Sequence, residues 1–161
     1  MMIKENQLRE FRPTVRYSDG ENLTLQFIQE VIEEQAAKYH IPVAFYNDVV
    51  SSGGFLKNSS EECIVMHHPD HKDDYLKYCI RVNKQGTYAF VKIDLFGRSK
   101  QIKKESYAYG YKKARKGQTI SNKILLSVAQ GIMTLGLDKQ KLEYEMNYNQ
   151  MIRDLFDEIF S

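Results

Sequence analysis

The sequence predicts an α+β fold with an N-terminal helix, an antiparallel sheet of four or five strands built from β-hairpins, and a C-terminal antiparallel pair of helices packed on one sheet face. Three observations support it. Residues 75–96 alternate between apolar and polar side chains around one tight turn, residues 23–39 repeat at helical spacing, and helical spacing returns between residues 120 and 160.

The first 17 residues are polar, mixed in charge and interrupted by Pro13, which predicts an N-terminal arm whose residues Thr14–Tyr17 could add a short edge strand. Residues 18–161 are predicted to form a single domain, because a chain of 161 residues can bury a core without a metal or disulfide staple.

The first helix is predicted to begin at Ser18-Asp19-Gly20-Glu21, which has the spacing of a capping box. Apolar side chains then recur on one helical face up to Tyr39. Pro42 disfavours helical geometry at the residue before it, so the helix should end near Tyr39.

Two strands and their turns follow. Val43–Val50 predicts a strand with an irregularity at Asn47-Asp48, and Ser51–Gly54 predicts a flexible turn. Glu62–His68 predicts the returning strand, and the polar run 69–74 reverses the chain again.

The Tyr75–Phe96 stretch is the strongest signal and predicts a long β-hairpin. In the favoured register Val82 faces Thr87, whereas a bulge at Gly86 would shift the pairing by one residue and mix the two faces. The favoured register gives one continuous apolar face, made of Leu76, Tyr78, Ile80, Val82, Ala89, Val91, Ile93 and Leu95.

Beyond Gly97 the pattern is weaker. Residues 101–111 are read as a solvated edge strand, with the start of a basic helix as the alternative. Residues 120–135 give an amphipathic helix ended by Gly136, and Asp138 caps a last helix that reaches Phe160. The short link predicts that these two helices are antiparallel.

The histidines and cysteines are the natural candidates for a metal centre or a hydrolase site. Cys63 and His67 share a strand face but lie about 13 Å apart at about 3.3 Å per residue, and the segment His67–His71 lacks the closely spaced pairs of zinc sites. The predicted register sets Cys63 opposite Ile80 and turns Cys79 to the other side of the sheet. We therefore expect no metal, no cofactor and no redox pair.

The basic segment, residues 98–116, is the one functional signal. The net charge of the chain is +2, but this segment carries eight Lys or Arg against the single acid Glu105. Cations interleaved with tyrosines suit a polyanion such as single-stranded nucleic acid, which needs charge for its phosphates and rings for its bases. The predicted polyanion-binding residues are Arg98, Lys100, Lys103, Lys104, Tyr107, Tyr109, Tyr111, Lys112, Lys113, Arg115 and Lys116.

The sequence thus favours a non-enzymatic binding domain for nucleic acid or another polyanion. The alternative is an oligomerising or adaptor domain with the Tyr88 and Phe90 face or the C-terminal helix as its contact, and a metal-assisted hydrolase using the His67–His71 turn ranks third. Exposed aromatic residues on the less apolar sheet face predict a homodimer. The two cysteines, the absence of a long apolar run and the N-terminal residues predict a cytoplasmic protein without a membrane partner.

Overall fold

A six-stranded sheet dominates the part of the chain that the structure, a computed structural model, describes, namely residues 2–53, 59–71, 75–97 and 139–160. The elements in chain order are β1 (Met2–Lys4), a 3₁₀ turn (Glu5–Gln7), β2 (Arg9–Tyr17), α1 (Leu25–Lys38), β3 (Ala44–Ser52), β4 (Ser59–His67), β5 (Lys77–Gln85), β6 (Tyr88–Phe96) and α2 (Lys139–Ile159).

The strands lie in the order β1-β3-β4-β5-β6-β2, and β1 runs parallel to β3 while the other neighbours are antiparallel. The predicted fold class is therefore wrong. The sheet is mixed and has six strands, not four or five antiparallel ones. The described chain also begins with two strands, so it has no N-terminal helix, and its two helices are α1 and α2.

The error arises from the edge strands, whose sequences resemble loops. β1 has only three residues, of which Ile3 alone is buried, and β2 carries charged side chains along much of its length. Pro13 falls where the β2–β6 register shifts, between Arg12 and Val15. A proline is tolerated there because a bulge leaves a backbone position unpaired, and the same features protect an edge from pairing with other chains.

The predicted hairpin is confirmed, but its register is wrong. Gln85 pairs with Tyr88 and Val82 pairs with Val91, so the turn consists of Gly86 and Thr87 alone. Gly86 has φ 62°, the left-handed conformation that a glycine at the first position of a type II′ turn supplies. The shift from the predicted register preserves the alternation, so the predicted apolar side chains still share one face.

That first face of the sheet carries the larger core. Tyr78, Ile80, Val91 and Ile93 are at most 1% exposed. The helix α1 contacts β4 and β5 and buries Ile28, Ile32 and Ala36.

The C-terminal end of α2 also packs on the first face, through aromatic rings. The ring of Phe156 lies 6.1 Å from those of Phe11 and Tyr78, which are 4.9 Å apart. These edge-to-face contacts fasten the end of the chain to β2 and β5.

The helix α1 begins later than predicted. Its N-cap is Thr24, whose hydroxyl accepts a hydrogen bond from the Phe27 amide at 3.1 Å, and not Ser18. The Ser18–Glu21 segment is instead held against the hairpin turn, where the Gly20 amide donates to the Thr87 carbonyl at 2.9 Å. The predicted end near Tyr39 is confirmed, since Tyr39 is the C-cap.

The chain divides into two compact units, Met1–Gly97 with Leu155–Ser161, and Arg98–Asp154. The predicted strand at 101–111 and the helix at 120–135 lie outside the described residues, so the predicted helical pair can be assessed only for its second member, α2. None of the described helices is long and apolar enough to span a membrane.

Candidate nucleic-acid interface

The second face of the sheet, opposite α1, has an exposed aromatic and basic region at the turn end of β5 and β6. Tyr88, Phe90 and Lys92 alternate along β6 and therefore point to this face. Tyr88 is 43% exposed, Phe90 is half-buried and Lys92 is exposed. We call this region the Tyr88 patch, and it comprises Arg16, Asn83, Gln85, Tyr88, Phe90 and Lys92.

The neighbouring strands complete the Tyr88 patch. Arg16 on β2 and Asn83 on β5 both pair with Phe90, one from each side. The Arg16 guanidinium carbon lies 5.7 Å from the centre of the Tyr88 ring, within the range of a cation–π contact. Gln85 pairs with Tyr88 and is exposed.

Such an arrangement can bind flat, negatively charged molecules. An exposed aromatic ring on a rigid sheet offers a stacking surface to a nucleic-acid base, and exposed Arg and Lys beside it can neutralise phosphates. Asn83 and Gln85 add amide groups that can donate to and accept from base edges.

The sequence-predicted polyanion-binding residues, 98–116, lie outside the described residues, so their role stays a prediction. Tyr88 and Phe90 were predicted to share the less apolar face, and their alternation in β6 places them there. Their neighbour Arg16 was not predicted from the sequence. The available signal was the short alternating run Thr14–Tyr17, but its pairing with β6 is a long-range contact that the run itself does not encode.

In the histidine turn after β4 the side-chain rings of His68, His71 and Tyr75 contact one another. The rings of His68 and His71 are 4.1 Å apart and nearly parallel, and Tyr75 lies 4.7 Å from His71. The Asp70 amide donates to Nδ1 of His68 at 3.1 Å, and burial lowers the pKa of His68. Within the described ranges no three His, Cys, Asp or Glu side chains are grouped so that they could hold a metal ion.

Both cysteines lie on the second face of the sheet, outside the Tyr88 patch. The prediction that Cys63 and Cys79 point to opposite faces is wrong. Val65 pairs with Cys79 and Ile64 pairs with Ile80, one residue from the predicted β4–β5 register. A slip of one residue moves a whole strand face, so Cys63 and Cys79 lie on the same side. Both are buried in a cluster with Ile3, Val50 and Val65, covered by Leu8, Tyr46 and Phe96.

A buried charge network lies beside the cysteines. Arg81 on β5 donates to Asp94 on β6 at 2.6 Å, to Glu5 at 2.8 Å and to Glu61 at 3.4 Å. Burial alone would lower the pKa of Arg81, but the hydrogen bonds to Asp94 and Glu5 outweigh it and keep that pKa above its usual value. Arg81 is the shared donor for three carboxylates, so it links β5 to β6, to β4 and to the 3₁₀ turn.

A cavity of about 470 Å³ lies near the start of α1 and is lined by Leu25, Asn47, Asp48, Val49, Glu62 and Cys63. Its lining residues on β3 and β4 are neighbours along each strand and are paired across the two strands, with Val49 opposite Glu62 and Asp48 opposite Cys63. Successive side chains on a strand point to opposite faces, so Asp48 and Cys63 point away from Val49 and Glu62. Among the described residues that line this cavity, the titratable groups therefore do not converge on one point, as an active site requires.

Comparison of the chain with protein-family models, with curated proteins and with solved structures finds no match.

Proposed function

We propose that the protein is a non-enzymatic domain that binds single-stranded nucleic acid, with the Tyr88 patch as its base-stacking surface. The observation that carries this proposal is the position of Arg16 over the exposed Tyr88 ring, beside Phe90, on one face of the sheet. A cation can neutralise the phosphate of a nucleotide, and an aromatic ring beside it can stack on the base.

The basic segment supports the same proposal from the sequence. It begins two residues after the end of β6, the strand that carries Tyr88 and Phe90, and it concentrates positive charge in a chain whose remainder is acidic. Its lysines and arginines supply the sequence-independent attraction to phosphates, and the Tyr88 patch supplies the stacking.

The proposal specifies single strands because the rings lie on a sheet face. Bases in a duplex are stacked on one another inside the helix, so a flat aromatic surface cannot reach them without unpairing. Exposed bases of a single strand stack on such a surface without that cost, and every base has a ring face, so sequence preference should be weak.

Titration of a 5′-labelled oligothymidylate with the full chain, followed by fluorescence anisotropy at low and physiological salt, tests the proposal. A duplex of the same length is the matched control. The proposal expects saturable binding of the single strand and weaker binding of the duplex. A dissociation constant above about 100 μM for the single strand at low salt would reject it, since that is the weak limit of non-specific binding.

A second candidate function, an oligomerising or adaptor domain, is favoured by the exposure of the same side chains. Tyr88 is 43% exposed and Phe90 is half-buried, so a second copy of the chain could pack on these two side chains. Light scattering at micromolar concentration tests it, because a monomer has a mass of 18.9 kDa and a homodimer twice that. A dimer in which Tyr88→Ala restores the monomer mass would favour this candidate.

A cytoplasmic location belongs to the same proposal. Cys63 and Cys79 are free thiols in the structure, and free buried thiols fit a reducing compartment. Nucleic acid is available there as a partner.

A further inference from the structure

Cys63 and Cys79 form a contacting pair on neighbouring strands. Cys79 lies opposite Val65, so Cys63 is diagonal to it on the same sheet face, and both belong to one buried cluster with Val65. Both side chains are nearly inaccessible, at 2% and 0% exposed. We propose that the pair is a reversible oxidation site, in which a hydroperoxide converts the two thiols into a disulfide.

The two sulfurs are not equivalent. The neighbouring Cys79 thiol lowers the pKa of Cys63, whereas the neighbouring Cys63 thiol and burial raise the pKa of Cys79. The charge of Arg81 also lowers the pKa of both thiols, and its Nε atom has no hydrogen-bond partner among the described residues. Cys63 also lines the cavity near the start of α1. In this proposal Cys63 is therefore the thiol that ionises and attacks, and Cys79 stays protonated until it resolves the intermediate.

The chemistry balances with hydrogen peroxide as the oxidant. The Cys63 thiolate attacks one peroxide oxygen, the O–O bond breaks, and Cys63 becomes a sulfenic acid while hydroxide leaves and takes up the proton released by Cys63. The Cys79 sulfur then attacks the Cys63 sulfur. An S–S bond forms, the S–O bond breaks, and the departing hydroxide takes the Cys79 proton as water. One peroxide is reduced to two waters and two thiols are oxidised.

Access for the oxidant is provided by the N-terminal segment, Met2–Leu8. Ile3 and Leu8 pack against the cysteine cluster, and the segment is held by three strand pairs between β1 and β3 and by the Glu5–Arg81 ion pair. A short edge element with few hydrogen bonds opens more readily than the rest of the sheet. Opening of this segment would uncover the thiols without unfolding the domain.

The diagonal position makes the disulfide dependent on backbone movement. Diagonal neighbours on antiparallel strands have Cα atoms about 7 Å apart, which is at the upper limit for a disulfide. The bond therefore requires β4 and β5 to shift, and a reductant should restore the thiol form readily. This behaviour is typical of a regulatory disulfide and not of a structural one.

Peroxide treatment of the full-length native protein tests the proposal. The protein is exposed to hydrogen peroxide near neutral pH, alkylated under denaturing conditions and analysed by mass spectrometry before and after dithiothreitol. The proposal expects an intramolecular Cys63–Cys79 link, a mass lower by two hydrogen atoms, and recovery of two alkylatable thiols on reduction. Two unmodified thiols, an intermolecular link, or irreversible oxygen addition without a link would overturn it.

Single variants distinguish the two roles. In Cys79→Ala the sulfenic acid on Cys63 should persist and be trapped by dimedone, whereas Cys63→Ala should give no dimedone adduct. Equal trapping in both variants would overturn the assignment of roles. If either variant unfolds, the wild-type mapping above decides the proposal without it.

The access route has its own test. Glu5→Gln weakens the contact that holds the N-terminal segment, and Glu34→Gln, an exposed position on α1, is the control. Oxidation should become roughly fivefold faster in Glu5→Gln, the factor that about 1 kcal/mol makes in an opening equilibrium, and stay unchanged in the control. Equal rates in the wild type and Glu5→Gln would overturn this route.

Discussion

Nη2 of Arg81 donates to Oδ2 of Asp94 across the β5–β6 pair at 2.6 Å, and the two side chains are only 5% and 9% exposed. The Arg81 side chain is therefore buried on the second face of the sheet, where it forms an ion pair with a buried carboxylate. Glu5 and Glu61 approach the same guanidinium from more exposed positions, with side chains 42% and 39% exposed.

Removal of the buried partner should be far more damaging than removal of an exposed one. Asp94→Ala leaves a buried guanidinium without its closest counter-charge, so we expect the free energy of unfolding to fall by about 3–5 kcal/mol. Glu61→Ala, the control, removes a partly exposed contact to Arg81 and should cost about 1 kcal/mol or less. Urea denaturation measures both, and equal losses would contradict the importance of burial here.

The contact between Gly20 and the hairpin predicts a second large loss. A Cβ at Gly20 would collide with Cβ of Ala89 and lie 2.9 Å from the Ala89 amide nitrogen. Gly20→Ala should therefore destabilise the protein by about 1–3 kcal/mol, because backbone must shift to make room. Thr87→Ala, the control, changes an exposed side chain on the other side of the same contact. Its free energy of unfolding should stay within about 0.5 kcal/mol of the wild-type value. A tolerated Gly20→Ala in the same denaturation assay would refute the close approach.

His68 predicts a pH dependence of stability. Burial lowers the pKa of His68 from its usual 6.5, so the unfolded chain binds more protons than the folded chain just below that pH. The stability contributed by neutral His68 is present above pH 6.5 and is lost as the pH falls through the folded pKa. His68→Asn keeps an acceptor for the Asp70 amide but does not titrate, so its free energy of unfolding should fall less on acidification. Parallel pH curves for the wild type and the variant would contradict this.

The parts of the fold that the sequence encodes locally could be predicted, and the parts set by long-range pairing could not. The alternation in Tyr78–Val82 and Val91–Leu95 identifies the hairpin and its apolar face. A pairing shifted by an even number of residues leaves every side chain on its predicted face, so the face is correct although the register is not. The register itself is set by the turn at Gly86 and Thr87, whereas the predicted pairing of Val82 with Thr87 requires a turn nearer the N-terminus, between these two residues.

Long-range pairing also explains the errors in the candidate site. The relation of Cys63 to Cys79 depends on the β4–β5 register, and the intervening turn is long enough to permit more than one pairing. The neighbour of Tyr88 is Arg16, more than 70 positions earlier in the chain. The strand β1 and the first half of β2 carry too few apolar residues to be recognised from sequence alone, and only the Thr14–Tyr17 end of β2 was predicted, as a short edge strand.

The basic segment predicts a steep salt dependence of nucleic-acid binding. Each phosphate neutralised on a single strand contributes about −0.7 to the slope of log affinity against log salt, so four contacts from Lys103, Lys104, Lys112 and Lys113 give about −3. Replacement of all four by alanine should make the slope shallower by about 3. Lys84→Ala, a change in the β5–β6 hairpin on the opposite face from the Tyr88 patch, should leave it unchanged. An unaltered slope in the fourfold variant would show that these lysines do not contact phosphates.

The proposed function is tested most directly by comparing two exposed tyrosines that each lie under a cation. Tyr88 is 43% exposed with Arg16 at 5.7 Å from its ring centre, and Tyr39 is 46% exposed with Lys38 at 5.3 Å from its own. In anisotropy titrations with labelled oligothymidylate, Tyr88→Ala should weaken binding by about 1–3 kcal/mol without changing the salt slope, because it removes stacking and no phosphate contact. Tyr39→Ala, outside the Tyr88 patch, should bind as the wild type does. Equal affinities for the wild type and Tyr88→Ala would contradict the assignment of the Tyr88 patch as the stacking surface.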